Sequence, residues 1–142
     1  MWLKGLHDMT WKNFYSPEST CMWFFSARRK ALSLLRSQVF DAIISTSTPY
    51  TGHLVGKAAK TQFSDVYWMV DIGDPFSFDN LPWNNPRLHR RRNLRSESRI
   101  LDKADSITVT VESCRQSYHD LFPHSVGKIS VIPPLHSGGP SA

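Results

Sequence analysis

Cysteine is scarce in this chain of 142 residues, and long hydrophobic runs are missing altogether. The two cysteines, Cys21 and Cys114, lie far apart and form no CxxC pair. They read as free thiols in a reducing compartment, which excludes a disulfide scaffold and points to the cytoplasm. No apolar stretch approaches the roughly 20 residues that a membrane helix needs. The opening MWLKGLHDMTW has neither an apolar h-region nor a small-residue cleavage site, so it does not read as a secretory signal. Walker A, GxGxxG and HExxH motifs are absent, as is any zinc-like Cys/His spacing. No metal site is expected. Cys114 and His119 stand five residues apart on one expected helix, which points them to different faces and excludes a nucleophile–base pair. No internal repeat is present.

What remains is the make-up of one globular domain. An apolar share of 40% and a charged share of 20% are ordinary for a soluble chain. The length suffices for one core. The net charge of +5 is local. Residues 86–103 hold seven Lys and Arg against Glu97 and Asp102, and the remainder balances.

Periodicity divides the chain into alternating elements. Residues 1–20 carry Trp2, Leu3, Leu6, Trp11, Phe14 and Tyr15 without a clear period and read as an irregular segment. Cys21 to Gln38 predicts an amphipathic helix with Phe24, Ala27, Ala31, Leu34 and Leu35 on its apolar side. Phe40 to Ile44 predicts a buried strand. Ser45 to Thr48 then supplies turn and cap hydroxyls, with Pro49 opening a helix. Val66 to Val70 predicts a second strand, closed by Asp71-Ile72-Gly73-Asp74-Pro75. Phe76 to Asn85 reads as a loop rich in aromatics, including Phe76, Phe78 and Trp83. Pro86 to Ala104 predicts a helix with Leu94, Leu101 and Ala104 as its seam. A strand over 106–111, a helix over 112–122 and a strand over 128–132 complete the order, and 136–142 reads as a flexible tail. Strands alternating with helices at this spacing imply an α/β fold: a Rossmann-like parallel sheet with right-handed crossovers and helices on both faces.

The ordered set FDAIISTSTPYTGHLVG, YWMVDIGDPFSF, ILDKADSITVTVES and KISVIPPL resembles the N-terminal domain of family 4 glycosyltransferases of the GT-B fold. It is most similar to the bacterial enzymes of polysaccharide and cell-envelope assembly, over about Pro17 to Leu135. The resemblance implies a partial GT-B N-terminal domain over 21–135. Such a domain takes the glycan or lipid-linked acceptor, while a second domain binds the nucleotide-sugar. No strand with a glycine-rich loop precedes Trp23 and no paired-glutamate donor half follows. The resemblance therefore implies a domain inactive alone, or a binding module or remnant of a split gene. No metal or other cofactor is implied, and a separately encoded donor domain is the implied partner.

In open α/β sheets the ligand crevice lies beyond the carboxyl ends of the strands. Asp71 and Asp74 fall at such an end, where a carboxylate can orient or deprotonate an acceptor hydroxyl. The alternative is that both merely shape a turn. His53 falls in the first turn of the following helix, where the dipole would keep it neutral. It serves as a crevice group or as a solvent-facing helix residue. Ser47, Thr48 and Thr51 offer hydroxyls to an acceptor or act as caps. Thr110 and Glu112 end the third strand and open a helix, Glu112 either facing the crevice or complementing the helix dipole. Gly52 and Gly56 are spaced for close backbone packing. Arg90, Arg91, Arg92 and Arg95 form a solvated face or meet an anionic membrane or acceptor phosphate. No nucleic-acid module accompanies them, so no nucleic-acid partner is expected. The whole implies a cytoplasmic protein, peripheral on the inner membrane face.

Overall fold

The structure, a computed structural model, describes residues 21–78 and 86–134, with only the backbone of residues 86–88. The expectations for 1–20, for Trp83 and for 136–142 lie outside the described residues. A 3-10 turn, Cys21–Trp23, leads into α1, Phe24–Ser37. Then come β1 (Ala42–Ser47), α2 (Thr51–Gln62), β2 (Tyr67–Ile72), α3 (Pro86–Lys103), β3 (Ser106–Val109), α4 (Glu112–Leu121), a 3-10 segment (Pro123–Lys128) and β4 (Ile129–Val131). The four strands form one parallel sheet in the order β1-β2-β3-β4. The class is α/β and Rossmann-like, with helices flanking the sheet, but the connecting helices lie on one face and not on both as expected.

Two strands run further than their apolar content announces. The first does not start at Phe40. It starts at Ala42 and continues through Ser45, Thr46 and Ser47, which pair with Val70, Asp71 and Ile72. These hydroxyl residues belong to the ladder rather than to a turn, because ladder hydrogen bonds with β2 outweigh their weak local preference. Asp71 and Ile72 likewise lie inside β2. The helix after β1 opens at Thr51, not at Pro49, and its N-cap Tyr50 makes no side-chain cap bond. Ring stacking holds Tyr50 instead, its centroid 3.6 Å from that of Phe76.

Right-handed crossovers between strands laid down in chain order place every connecting helix on the same face. Burial follows this rule. Trp68, Val70, Ile72, Ile107, Val109 and Ile129 alternate along the strands and share one core with side chains of α3 and α4. The α3 seam holds Leu101 and Ala104 as expected, together with Ile100. The residues between, on the second face, form a row across the sheet: Thr46, Asp71, Thr108 and Ser130. That face is less covered; Ile44 is 65% and Tyr67 45% exposed.

Polar side chains clamp the elements. Asp105 accepts from the Trp68 N–H at 2.7 Å and pairs with Lys60 at 2.8 Å. Partial burial pushes the Asp105 carboxyl up, but the bonds from Lys60 and Trp68 prevail and hold it below the usual range. Lys128 Nζ donates to the carbonyls of Leu101, Asp102 and Ala104 at 3.3, 2.8 and 2.8 Å, a cation at the negative end of α3.

Gly56 is where α2 meets β2. A Cβ there would lie 2.5 Å from the indole nitrogen of Trp68, which is fully buried and cannot retreat. Gly56→Ala is therefore expected to destabilise the fold by about 1–3 kcal/mol, in spite of alanine's better helix propensity. Gly127→Ala faces open space and is the control. Equal urea midpoints for the two variants would contradict this packing.

Candidate functional site

A crevice of about 380 Å3 opens at the carboxyl ends of β2 and β3. Gly73, Asp74 and Pro75 wall it from the turn after β2, and Thr110, Ser113 and Ser117 wall it from β3 and α4. Phe78 closes one side. The turn is held from several directions. Ser47 Oγ donates to the Asp74 carbonyl at 3.4 Å. Phe78 meets Tyr118 edge to face, with centroids 4.9 Å apart. The Ser77 N–H donates to Glu97 Oε2 at 3.1 Å.

Glu97 is the residue that organises this region, although in sequence it stands within a run of charges. It is buried within α3 and accepts from the Tyr118 hydroxyl at 2.6 Å through its other oxygen. Burial pushes its carboxyl up, against the hydrogen bonds from Ser77 and Tyr118. Burial, and then the Glu97 charge, push the Tyr118 phenol well above its ordinary value. One carboxylate thus ties the turn after β2 to α3 and α4. Its spacing offered a signal: Asn93, Ile100 and Leu101, at i−4, i+3 and i+4, are also buried.

His53 does not line the crevice. It is 2% exposed and sits between α2 and the sheet. Its Nδ1 lies 2.9 Å from Ser45 Oγ, which also accepts from Trp68 Nε1 at 3.0 Å. Trp68 can only donate, and Ser45 Oγ, with one hydrogen and two lone pairs, serves Nδ1 in either imidazole tautomer. Among the described residues Nε2 has no hydrogen-bond partner. Burial lowers the His53 pKa from 6.5 to about 4, with the Asp71 charge opposing. His53 is therefore a neutral core residue at physiological pH. His53 stands in the first turn of α2 as expected, but burial and not the helix dipole keeps it neutral, and both crevice and solvent positions fail because that turn packs onto the sheet.

The other expected residues divide. Asp74 and Thr110 meet at the crevice. Asp71 lies on the second sheet face, where its Oδ1 accepts from Thr108 Oγ1 at 2.6 Å. Thr51 is wholly buried. Ser47 supports the turn, and Thr48 is exposed beside it. Glu112 is exposed and accepts from Arg115 Nε at 2.9 Å. Arg90, Arg91, Arg92 and Arg95 are exposed along α3. A second hollow, of about 480 Å3 and mainly apolar, lies beside β1 between α1 and α2. Among the described residues no helix is long and apolar enough to cross a membrane.

The chain has no match among known family models, curated proteins or solved structures.

The sealed imidazole has a measurable consequence. The folded His53 pKa lies below the unfolded value, so between pH 6.5 and about 4 the unfolded chain takes the proton first. The stability gained by keeping His53 neutral is complete above pH 6.5 and falls by about 3 kcal/mol as the pH drops toward 4. Glu97 acts in the opposite sense, because its raised pKa lets the folded state hold a proton that the unfolded state has released. Urea denaturation across this range should give a steeper acid loss for the native chain than for His53→Gln. Parallel pH profiles would contradict the buried neutral imidazole.

Proposed function

We propose that this chain is the acceptor-side domain of a GT-B-type glycosyltransferase, and that a glycan or lipid-linked sugar acceptor binds in the crevice between the turn after β2 and α4. The observation that carries this reading is the crevice itself: one carboxylate, Asp74, with the hydroxyls of Thr110, Ser113 and Ser117 and the ring of Phe78. Carboxylates and hydroxyls serve sugar hydroxyls, and an aromatic ring serves the apolar face of a pyranose. Asp74 then orients the attacking acceptor hydroxyl and takes its proton as that oxygen bonds to the anomeric carbon and the bond from that carbon to the nucleotide phosphate breaks, the nucleotide leaving on the donor-binding domain. The nucleotide-sugar donor is held by a separately encoded domain that closes over the strand ends. In this reading His53 and Asp71 position α2 and the sheet, and the enzyme works at the cytoplasmic membrane surface in polysaccharide or cell-envelope assembly.

A second reading, a binding module without catalysis, is favoured by the sealed state of His53, which leaves the crevice without an imidazole. Saturation-transfer NMR with a panel of hexoses and oligosaccharides tests the site. Binding is expected, with a loss of about tenfold or more in Asp74→Asn, since hydrogen bonds to charged groups are worth about 1.5–3 kcal/mol. No transfer to any saccharide, or an unchanged signal in Asp74→Asn and Phe78→Ala, would sink the site. Hexosyl transfer by the chain alone would sink the need for a donor-binding partner.

A further inference from the structure

Helices α1, α2 and α3 come from three separate parts of the chain, yet α1 packs on α2 and α2 on α3. Together they hold thirteen of the seventeen Lys and Arg residues and two of the twelve acidic ones. Of those two acids, Glu97 is buried, and Asp102 is engaged by His124 at 3.1 Å. The helical layer thus carries +11 and the rest of the chain −6. The balance seen outside residues 86–103 is a balance in sequence only: among the described residues most acids lie outside these three helices, and Asp105 meets them through Lys60.

The cations converge where α2 meets α3. The Tyr50 hydroxyl donates to Ser96 Oγ at 2.9 Å, and Lys60 pairs with Asp105 just past α3. The two helices therefore run in the same direction, and Lys57 falls between these contacts, near Arg99 and Lys103. Burial, and then the charges of those two residues, lower the Lys57 pKa. Arg92, Arg99 and Lys103 recur at helical spacing and form a ridge of about 16 Å along one side of α3. Among the described residues none of these four cations is ion-paired with a carboxylate.

Helix α1 adds a second character. Phe25, Arg29 and Arg36 share one side of the helix at helical spacing, and Met22 precedes Phe25 by three residues. Met22 is 69% and Phe25 73% exposed. Large apolar side chains beside arginines, on a helix without a single acid, are the composition of a helix that lies in a bilayer interface. A nucleic acid would meet the cations and stack a base on Phe25 at most, leaving Met22 in water.

We propose that the α1–α2–α3 layer docks flat on an anionic lipid bilayer, with Met22 and Phe25 entering the acyl boundary and Arg29, Arg36, Arg92 and Arg99 meeting lipid phosphates. The dock extends the arginine helix into a face built from three helices. It also sets the crevice at the strand ends sideways, open along the membrane surface. It deepens the membrane placement in the proposed function, and because it is measured with no saccharide present its failure is distinguishable from failure of the glycan site.

The test is sedimentation of the full chain with vesicles of phosphatidylcholine alone and of phosphatidylcholine mixed with phosphatidylglycerol, at low and high salt. Binding is expected only to the mixed vesicles and is expected to be released by salt. Arg29→Gln, Arg36→Gln, Arg92→Gln and Arg99→Gln should each lower partitioning about fivefold, since each basic residue near such a surface contributes about 1 kcal/mol. Phe25→Ser should weaken binding further, with circular dichroism and melting unchanged for these exposed positions. Equal binding to neutral vesicles would overturn the proposal. So would wild-type partitioning by the α1 variants, or binding to RNA in place of vesicles.

Discussion

A parallel sheet whose strands lie in chain order, joined by right-handed crossovers, has no freedom over where its connecting helices go: each lands on the same face. The other features follow from that constraint. The strand residues that point toward the helices, Trp68, Val70, Ile107 and Val109, are fully or almost fully buried. Those that point away carry the polar row Thr46, Asp71, Thr108 and Ser130. Helix α1 packs on α2 and α2 on α3, and these three helices hold thirteen of the seventeen Lys and Arg residues. Turns at the carboxyl ends are left to form the crevice.

Three polar groups, Ser45 and Glu97 in the core and Asp105 at its exposed edge, set the register of the parts. Ser45 joins β1 to β2 through Trp68 and to α2 through His53. Asp105 joins β2 to the end of α2 through Lys60. Glu97 joins the turn after β2 to α4 through Ser77 and Tyr118. Ser45 and Glu97 make directional contacts in a low-dielectric surrounding, where a misplaced partner costs more than on the surface. The last of them fixes the turn that carries Asp74, so the candidate site rests on a carboxylate that never touches its contents.

The alternation of strands and helices was legible because period-2 and period-3.6 patterns alternate at regular spacing. The strand ends were not: Ser45-Thr46-Ser47 has the composition of a turn, and only its pairing with Val70-Asp71-Ile72 makes it strand. Gly56 was legible as a packing glycine, although its partner, the Trp68 indole, is a tertiary fact. Asp74 and Thr110 could be placed at a crevice because strand ends can be counted. His53 could not, since the angle at which α2 meets the sheet decides whether its first turn faces the crevice or the core. Glu97 was hidden by its neighbours, which read as a solvated charge run. The segregation of charge was invisible for a related reason: the cations of α1 and α2 are balanced in sequence by acids such as Asp41, Asp65 and Asp120, which lie outside the helical layer's three helices.

Native-state thiol labelling measures the one-sided core most directly. In a Cys21→Ser, Cys114→Ala background, a cysteine is introduced by Ile44→Cys or Ser130→Cys on one face, or by Ile107→Cys on the other. The account predicts that the first two react at close to the rate of a free thiol, and that the third reacts only through global unfolding. Equal protection on both faces would contradict a core built on one side of the sheet.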